Sequence, residues 1–106
     1  GWAGTVMRFL PPVAALARAP WRATIRELKI GPNNVGDAGV AALAAADWPC
    51  LERLILTNNP LGEGAARALD AATGMPMLGE LDLTNTKAPK TSLKTLRKRL
   101  GAGLRV

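Results

Sequence analysis

Aliphatic residues recur along the chain at one fixed spacing and alternate with polar residues over short stretches. Three segments follow the template L-x-x-L-x-L-x-x-N-x-L, and their starts lie 26 and then 27 residues apart. The first aliphatic positions of the template are Ile25, Leu28 and Ile30, then Leu51, Leu54 and Leu56, then Leu78, Leu81 and Leu83. Alternation with a period of two predicts a short strand with one face directed inward.

A second set of landmarks repeats with the same period. Trp21 and Trp48 are 27 residues apart, Met75 follows after another 27, and Val13-Ala-Ala-Leu16 recurs 27 residues later as Val40-Ala-Ala-Leu43. Two sets of positions that share one period indicate an internal repeat.

Each repeat is predicted to consist of a strand, a turn and a helix. Helices are predicted over the alanine-rich stretches 39–46 and 64–72 and over 91–100, and a last short strand at 104–106. Asp37 and Glu63 fall near two helix starts, where a negative charge meets the positive end of the helix dipole. Because no unit buries its apolar face alone, neighbouring units are expected to stack into an α/β array.

This pattern resembles that of the leucine-rich-repeat superfamily, and the 26–27-residue period with one helix per repeat resembles its ribonuclease-inhibitor-like class. The resemblance covers about residues 13–100 and implies a curved, horseshoe-shaped solenoid. Short parallel strands would line its concave face and helices its convex face. One domain over 1–106 is predicted, with a partial N-terminal repeat (1–24), three repeats (25–50, 51–77 and 78–100) and a terminal strand (101–106).

The third repeat departs from the family pattern. The asparagine position of the family holds Asn33 and Asn59 in the first two repeats but Thr86 in the third. Ala88 and Pro89 replace an aliphatic residue followed by glycine. These changes indicate that the array is ending. At the other end, the strand of the partial N-terminal repeat would fall near residues 1–3, so that repeat is cut through or decayed. We therefore expect a fragment, or the tail of a longer protein.

Composition argues against a catalytic centre in this chain. Its 106 residues include no histidine and no tyrosine, so the commonest general base and zinc ligand are missing. The single cysteine, Cys50, is compatible with a reducing compartment and is expected to be a buried packing residue. We expect no enzyme activity, no cofactor, no metal site, no small-molecule substrate and no transmembrane segment. The expected location is intracellular, either cytoplasmic or organellar.

The strand positions that alternate with the inward-facing residues form the predicted partner-binding surface on the concave face. They are Glu27, Lys29, Arg53, Ile55, Thr57, Glu80, Asp82 and Thr84. Because parallel strands lie about 4.8 Å apart, Arg53 is expected between Glu27 and Glu80. One interpretation is a charge ladder that only relieves repulsion. The other is a mixed-charge patch around an exposed Ile55 that a protein partner covers, and the sequence does not decide between them.

Four repeat residues are interpreted as structural. The amides of Asn33 and Asn59 are expected to satisfy backbone groups in the turn after each strand. Trp21 and Trp48 are expected to pack between a helix and the next strand. None of the four is predicted to contact a ligand.

The net charge of +6 is concentrated at the ends of the chain. Residues 1–26 carry four arginines and no acidic residue, and residues 87–106 carry seven basic residues and no acidic one. The predicted basic docking face consists of Lys87, Lys90, Lys94, Arg97 and Lys98. It is interpreted as the polar cap of the last repeat, or as a surface that binds an acidic protein or assembly, nucleic acid or anionic lipid. The lack of interleaved aromatic residues disfavours nucleic acid.

The leading functional hypothesis is a non-catalytic protein–protein interaction module, or scaffold, that binds a macromolecular partner through the concave strand face. The first alternative is a small accessory subunit of a large complex, docked through its basic ends. The second alternative is the substrate-recognition part of a larger enzyme, such as a ubiquitin ligase or an effector.

Overall fold

The repeated leucines lie on one parallel β-sheet. The computed structural model describes residues 20–30 and 35–106. Four strands pair in the order β1 (Glu27–Lys29), β2 (Arg53–Ile55), β3 (Glu80–Asp82) and β4 (Leu104–Arg105), each parallel to its neighbour. The register sets four buried leucines side by side, namely Leu28, Leu54, Leu81 and Leu104. This row is one wall of the apolar core.

A helix follows each of the first three strands and packs against this leucine row. The helices are α1 (Asp37–Ala45), α2 (Glu63–Ala71) and α3 (Lys94–Leu100). Their inward residues join the strand leucines in a single buried cluster that includes Val40, Leu43, Ala65, Leu69 and Leu96. Burial of one valine or leucine side chain contributes about 1.5–3 kcal/mol. The predicted α/β class is confirmed, and α1 and α2 begin at the two acidic residues that the sequence placed near helix starts.

A large buried side chain occupies the position ahead of β2 and β3. Trp48 is fully buried, and its indole Nε1 donates a hydrogen bond of 2.8 Å to the carbonyl oxygen of Leu43. Met75, one repeat later, is only 2% exposed. These side chains fill the space between a helix and the following strand. The side chain of Trp21 lies outside the part of the chain that the structure describes, as does the predicted partial repeat up to residue 19.

The amide of Asn59 connects two repeats. It is 2% exposed, and its Nδ2 donates to the carbonyl oxygens of Leu56 at 3.0 Å and Thr57 at 3.1 Å within its own turn. The same group donates to the carbonyl oxygen of Ile30 at 3.0 Å, while its Oδ1 accepts from the Val35 N–H at 3.1 Å. One side chain thus satisfies polar backbone groups on both repeats. The equivalent Asn33 lies outside the described residues.

In the third repeat Thr86 makes shorter-range contacts at the same position. Its hydroxyl donates to the carbonyl oxygen of Leu83 at 2.7 Å and accepts from the Ala88 N–H at 3.4 Å. Asn58 and Asn85 immediately precede Asn59 and Thr86, and both adopt positive φ angles of 61° and 60°. Asparagine tolerates this left-handed conformation better than most residues. The turn geometry is therefore kept in the third repeat, while the long-range amide contact is replaced by a local one.

The prediction of one continuous helix over 91–100 is wrong. Residues Lys90–Ser92 form a 3-10 turn, Leu93 has a non-helical backbone (φ −112°, ψ 30°), and α3 begins only at Lys94. Pro89 enters this segment in an extended conformation. Asp70, at the end of α2, accepts a hydrogen bond of 2.8 Å from the Leu96 N–H. The N–H of Leu96 lies in the first turn of α3, and Asp70 of the preceding repeat is its acceptor. We attribute the late start of α3 to this bond, because the first-turn N–H groups of a helix need acceptors outside the helix.

The expectation that Cys50 is a buried packing residue is also wrong. Cys50 is exposed. It lies in the turn between Trp48 and Leu51, and those two fully buried side chains occupy the inward positions of this segment. No inward position remains for the thiol.

Replacing Asn59 with Ala should destabilise the fold strongly, since four buried or partly buried backbone groups would lose their partner. We expect a loss of about 2–4 kcal/mol in the free energy of unfolding, measured by urea denaturation. Thr86→Ala is the matched control and should cost about 1 kcal/mol, because Thr86 serves fewer groups. Equal losses for the two variants would contradict the inter-repeat role of Asn59.

Gly74 lies close to the backbone of the preceding repeat, and this contact leads to a second prediction. The Gly74 carbonyl oxygen accepts a hydrogen bond of 2.7 Å from the Trp48 N–H, and a Cβ at Gly74 would collide with the carbonyl oxygen of Ala46. Gly74→Ala should therefore cost about 1–3 kcal/mol in unfolding free energy. Gly79→Ala, where an added Cβ meets no atom closer than 4.0 Å, should stay within about 0.5 kcal/mol. If Gly74→Ala left the free energy of unfolding unchanged, the close contact between the backbones at Gly74 and Ala46 would not be needed for stability.

Candidate protein-binding surface

The side of the sheet opposite the apolar core carries two rows of side chains, which we call the open face. Its first row is Glu27, Arg53 and Glu80, and its second row is Lys29, Ile55, Asp82 and Arg105. These rows follow from the strand register, because residues two apart on one strand project to the same side. Thr57 and Thr84 follow β2 and β3 with the same alternation, and they are half-buried and exposed, respectively.

Arg53 bridges the carboxylates on both neighbouring strands. One guanidinium nitrogen donates to Glu27, and the other donates to Glu80 at 3.1 Å. The side chains of Glu27 and Glu80 are only 18% and 23% exposed, whereas that of Arg53 is 48% exposed. The hydrogen bond to Glu80 and the negative charge of Glu27 raise the pKa of Arg53 above its ordinary value. The first row is therefore an ordered acid–base–acid ladder, as the repeat spacing predicts.

The expectation of an exposed Ile55 is wrong, because Ile55 is only 8% exposed. It lies on the middle strand of its row, with Lys29 and Asp82 at the register positions on either side. The open face therefore offers no large apolar side chain at this position.

The charged residues of the second row differ in whether they form hydrogen bonds or ion pairs within the chain. The Oδ1 atom of Asp82 accepts from the Thr84 N–H at 3.0 Å and from the Thr84 hydroxyl at 2.6 Å. Lys29 and Arg105 form no ion pair among the described residues. Sequence reasoning missed Arg105 as a surface residue, although the alternation of Leu104 and Val106 around it was the available signal.

The basic docking face predicted from the sequence lies away from these rows, on the third repeat. Lys87 follows the turn after β3, and Lys90 lies in the 3-10 turn that precedes α3. Lys94, Arg97 and Lys98 lie on α3. All five residues are exposed. The structure thus forms two separate candidate surfaces, the open face and this basic face.

The surface of the described residues includes shallow grooves beside the helices. One, of about 330 Å³, lies between α1 and α2 and is lined largely by alanines. Another, of about 240 Å³, lies between α2 and the start of α3 and includes Arg67, Asp70 and Lys94. Among the residues that the structure describes, no group of three or more potential metal ligands occurs.

Replacing Arg53 with Gln should lower the melting temperature most at low ionic strength. Glu27 and Glu80 would then repel each other across β2 without a cation between them, and salt would screen that repulsion. Circular dichroism melts at low and high salt measure the difference. Arg67→Gln, which breaks an exposed pair between Arg67 and Glu63 four residues apart, is the control and should have a smaller effect. A loss that does not change with salt would contradict the ladder.

Comparison with known proteins gives one family match. A model described as Leucine Rich repeat matches residues 23–44, which span β1 and most of α1. No curated protein matches the chain at a significant level. No helix in the described part of the chain is long and apolar enough to cross a membrane. Repeats of this family generally mediate protein binding. Together with the parallel sheet, the match supports a leucine-rich-repeat protein.

Proposed function

We propose that this chain is a non-catalytic protein-interaction module that binds a partner protein through the open face of its sheet. The observation that carries the proposal is the ordered charge pattern of that face on a hydrogen-bonded scaffold. Arg53 is fixed by two carboxylates, so the first row presents a preorganised surface. Preorganisation lowers the entropy lost when a partner binds.

The chemistry of the partner follows from the second row. Lys29 and Arg105 stand at its two ends, three strand spacings apart, which is about 14 Å. Between them Ile55 is covered and the Asp82 carboxylate is bonded to Thr84. A partner with acidic groups at about that separation would complement the face. Its contacts would be mainly polar, since charge complementarity sets specificity and association rate where no apolar anchor is present.

The distribution of lysines makes this proposal testable. The chain has five lysines, of which only Lys29 lies on the open face, while the other four follow β3. A tagged chain would be recovered with its partner from native extract and treated with an amine-reactive cross-linker. We expect Lys29 to cross-link to the partner. Cross-links to the partner from the four C-terminal lysines alone would contradict binding through the open face.

A pair of charge variants provides the second test. Lys29→Gln with Arg105→Gln should reduce recovery of the partner about tenfold, since both unpaired cations of the face are removed. Arg26→Gln with Arg67→Gln removes the same charge from two exposed ion pairs off the face and should leave recovery within about twofold. Equal losses in the two double variants would indicate a non-specific effect of net charge.

A further inference from the structure

The third repeat carries a cluster of cations that the fold leaves unneutralised. We call Lys87, Lys90, Lys94, Arg97 and Lys98 the terminal cationic patch. All are exposed, and none forms an ion pair within the described residues. In the preceding repeat, by contrast, Arg53 and Arg67 both pair with carboxylates. The patch is therefore a surface of one sign of charge with no partner on this chain's described surface.

A role as a polar end cap does not account for the whole patch. Arg97 and Lys98 lie in the last turn of α3, where cations favour the negative end of the helix dipole. Lys94 is the first residue of α3, where a cation meets the positive end, and the first turn holds no acidic residue. Helices α1 and α2 begin instead with Asp37 and Glu63. The charge at Lys94 is therefore unfavourable for the helix that carries it.

The neighbours of Lys94 add to this cost. Lys94 and Lys98 lie four residues apart on α3, and like charges at that spacing destabilise a helix. Asp70 and Lys94 both line the groove between α2 and the start of α3. The Asp70 carboxylate, however, accepts a hydrogen bond from the Leu96 N–H and forms no ion pair with Lys94. Arg99 differs from the patch, since its guanidinium donates to the carbonyl oxygen of Met75 at 2.9 Å. Arg99 is thus a structural cation, whereas Lys90 and Lys94 form no ion pair with any residue that the structure describes.

We propose that the terminal cationic patch is a second docking surface and that its ligand is an acidic segment of a partner protein. Charge complementarity supports the acidic character of the ligand, since residues 87–106 contain seven basic residues and no acidic one. The same stretch has no aromatic residue on which an RNA base could stack. The apolar residues Leu93 and Leu96 are buried in the core, so the helix has none of these to insert into a lipid surface. This surface is distinct from the open face.

Binding of a fluorescent polyglutamate peptide, followed by anisotropy at low salt, tests the proposal. We expect Lys90→Gln with Lys94→Gln to weaken binding about tenfold and added salt to weaken it further. Arg22→Gln with Arg26→Gln lowers the net charge equally at the other end of the sheet and should change the dissociation constant less than about twofold. The melting temperature of the Lys90/Lys94 variant should be unchanged or higher, because unfavourable charges are removed.

Four outcomes would overturn the proposal. The first is that the wild-type chain does not bind polyglutamate, and the second is that the two double variants weaken binding equally. The third is a melting temperature that falls when Lys90 and Lys94 are neutralised. The fourth is tighter binding, through the same lysines, to a labelled oligouridylate or to phosphatidylserine vesicles than to polyglutamate. That result would assign the patch to nucleic acid or to a membrane. Both double variants keep Lys29 and Arg105, so a result that clears Lys90 and Lys94 of polyglutamate binding leaves the open-face proposal standing.

Discussion

The structure depends on leucines of neighbouring strands being buried against one another. Strands of two or three residues have too few hydrogen bonds and too little apolar area to be stable alone. In register, however, Leu28, Leu54, Leu81 and Leu104 form a continuous row onto which the helices pack. The order of the residues on the open face follows from the same register. The position of Arg53 between two carboxylates is thus a by-product of leucine packing, and any partner that uses the open face depends on that packing.

Much of the fold could be predicted from the sequence because the same residue pattern occurs in each repeat and predicts the same elements each time. The strands, the buried Trp48 and the Arg53 ladder follow from period and alternation alone. The late start of α3 could not be predicted, because it depends on where Asp70 of the preceding helix reaches a backbone N–H. Strand alternation predicts which face of the sheet a side chain occupies but not how much of it stays exposed to solvent. For that reason the expectation of an exposed Ile55 is wrong.

The charges of the candidate surfaces were visible in the sequence, but their pairing was not. Glu27, Arg53 and Glu80 form a closed set of ion pairs, whereas Lys29 and Arg105 in the next row have none among the described residues. A count of charges gives the two rows similar weight. Only the geometry separates charges already paired within the chain from those without an ion pair among the described residues.

The side chain at the asparagine position joins the first repeat to the second but has no equivalent bond between the second and the third. Asn59 fastens the second repeat to the first through Ile30 and Val35, whereas the described bonds of the Thr86 hydroxyl reach only Leu83 and Ala88 within the third repeat. Opening of the third repeat, which also carries the terminal cationic patch, therefore breaks no side-chain amide bond of the Asn59 kind, although it does break the bond from the Leu96 N–H to Asp70. A ligand that binds only the closed form of that repeat shifts the opening equilibrium toward closure. Occupancy of the patch and the local stability of the last repeat are thus thermodynamically linked.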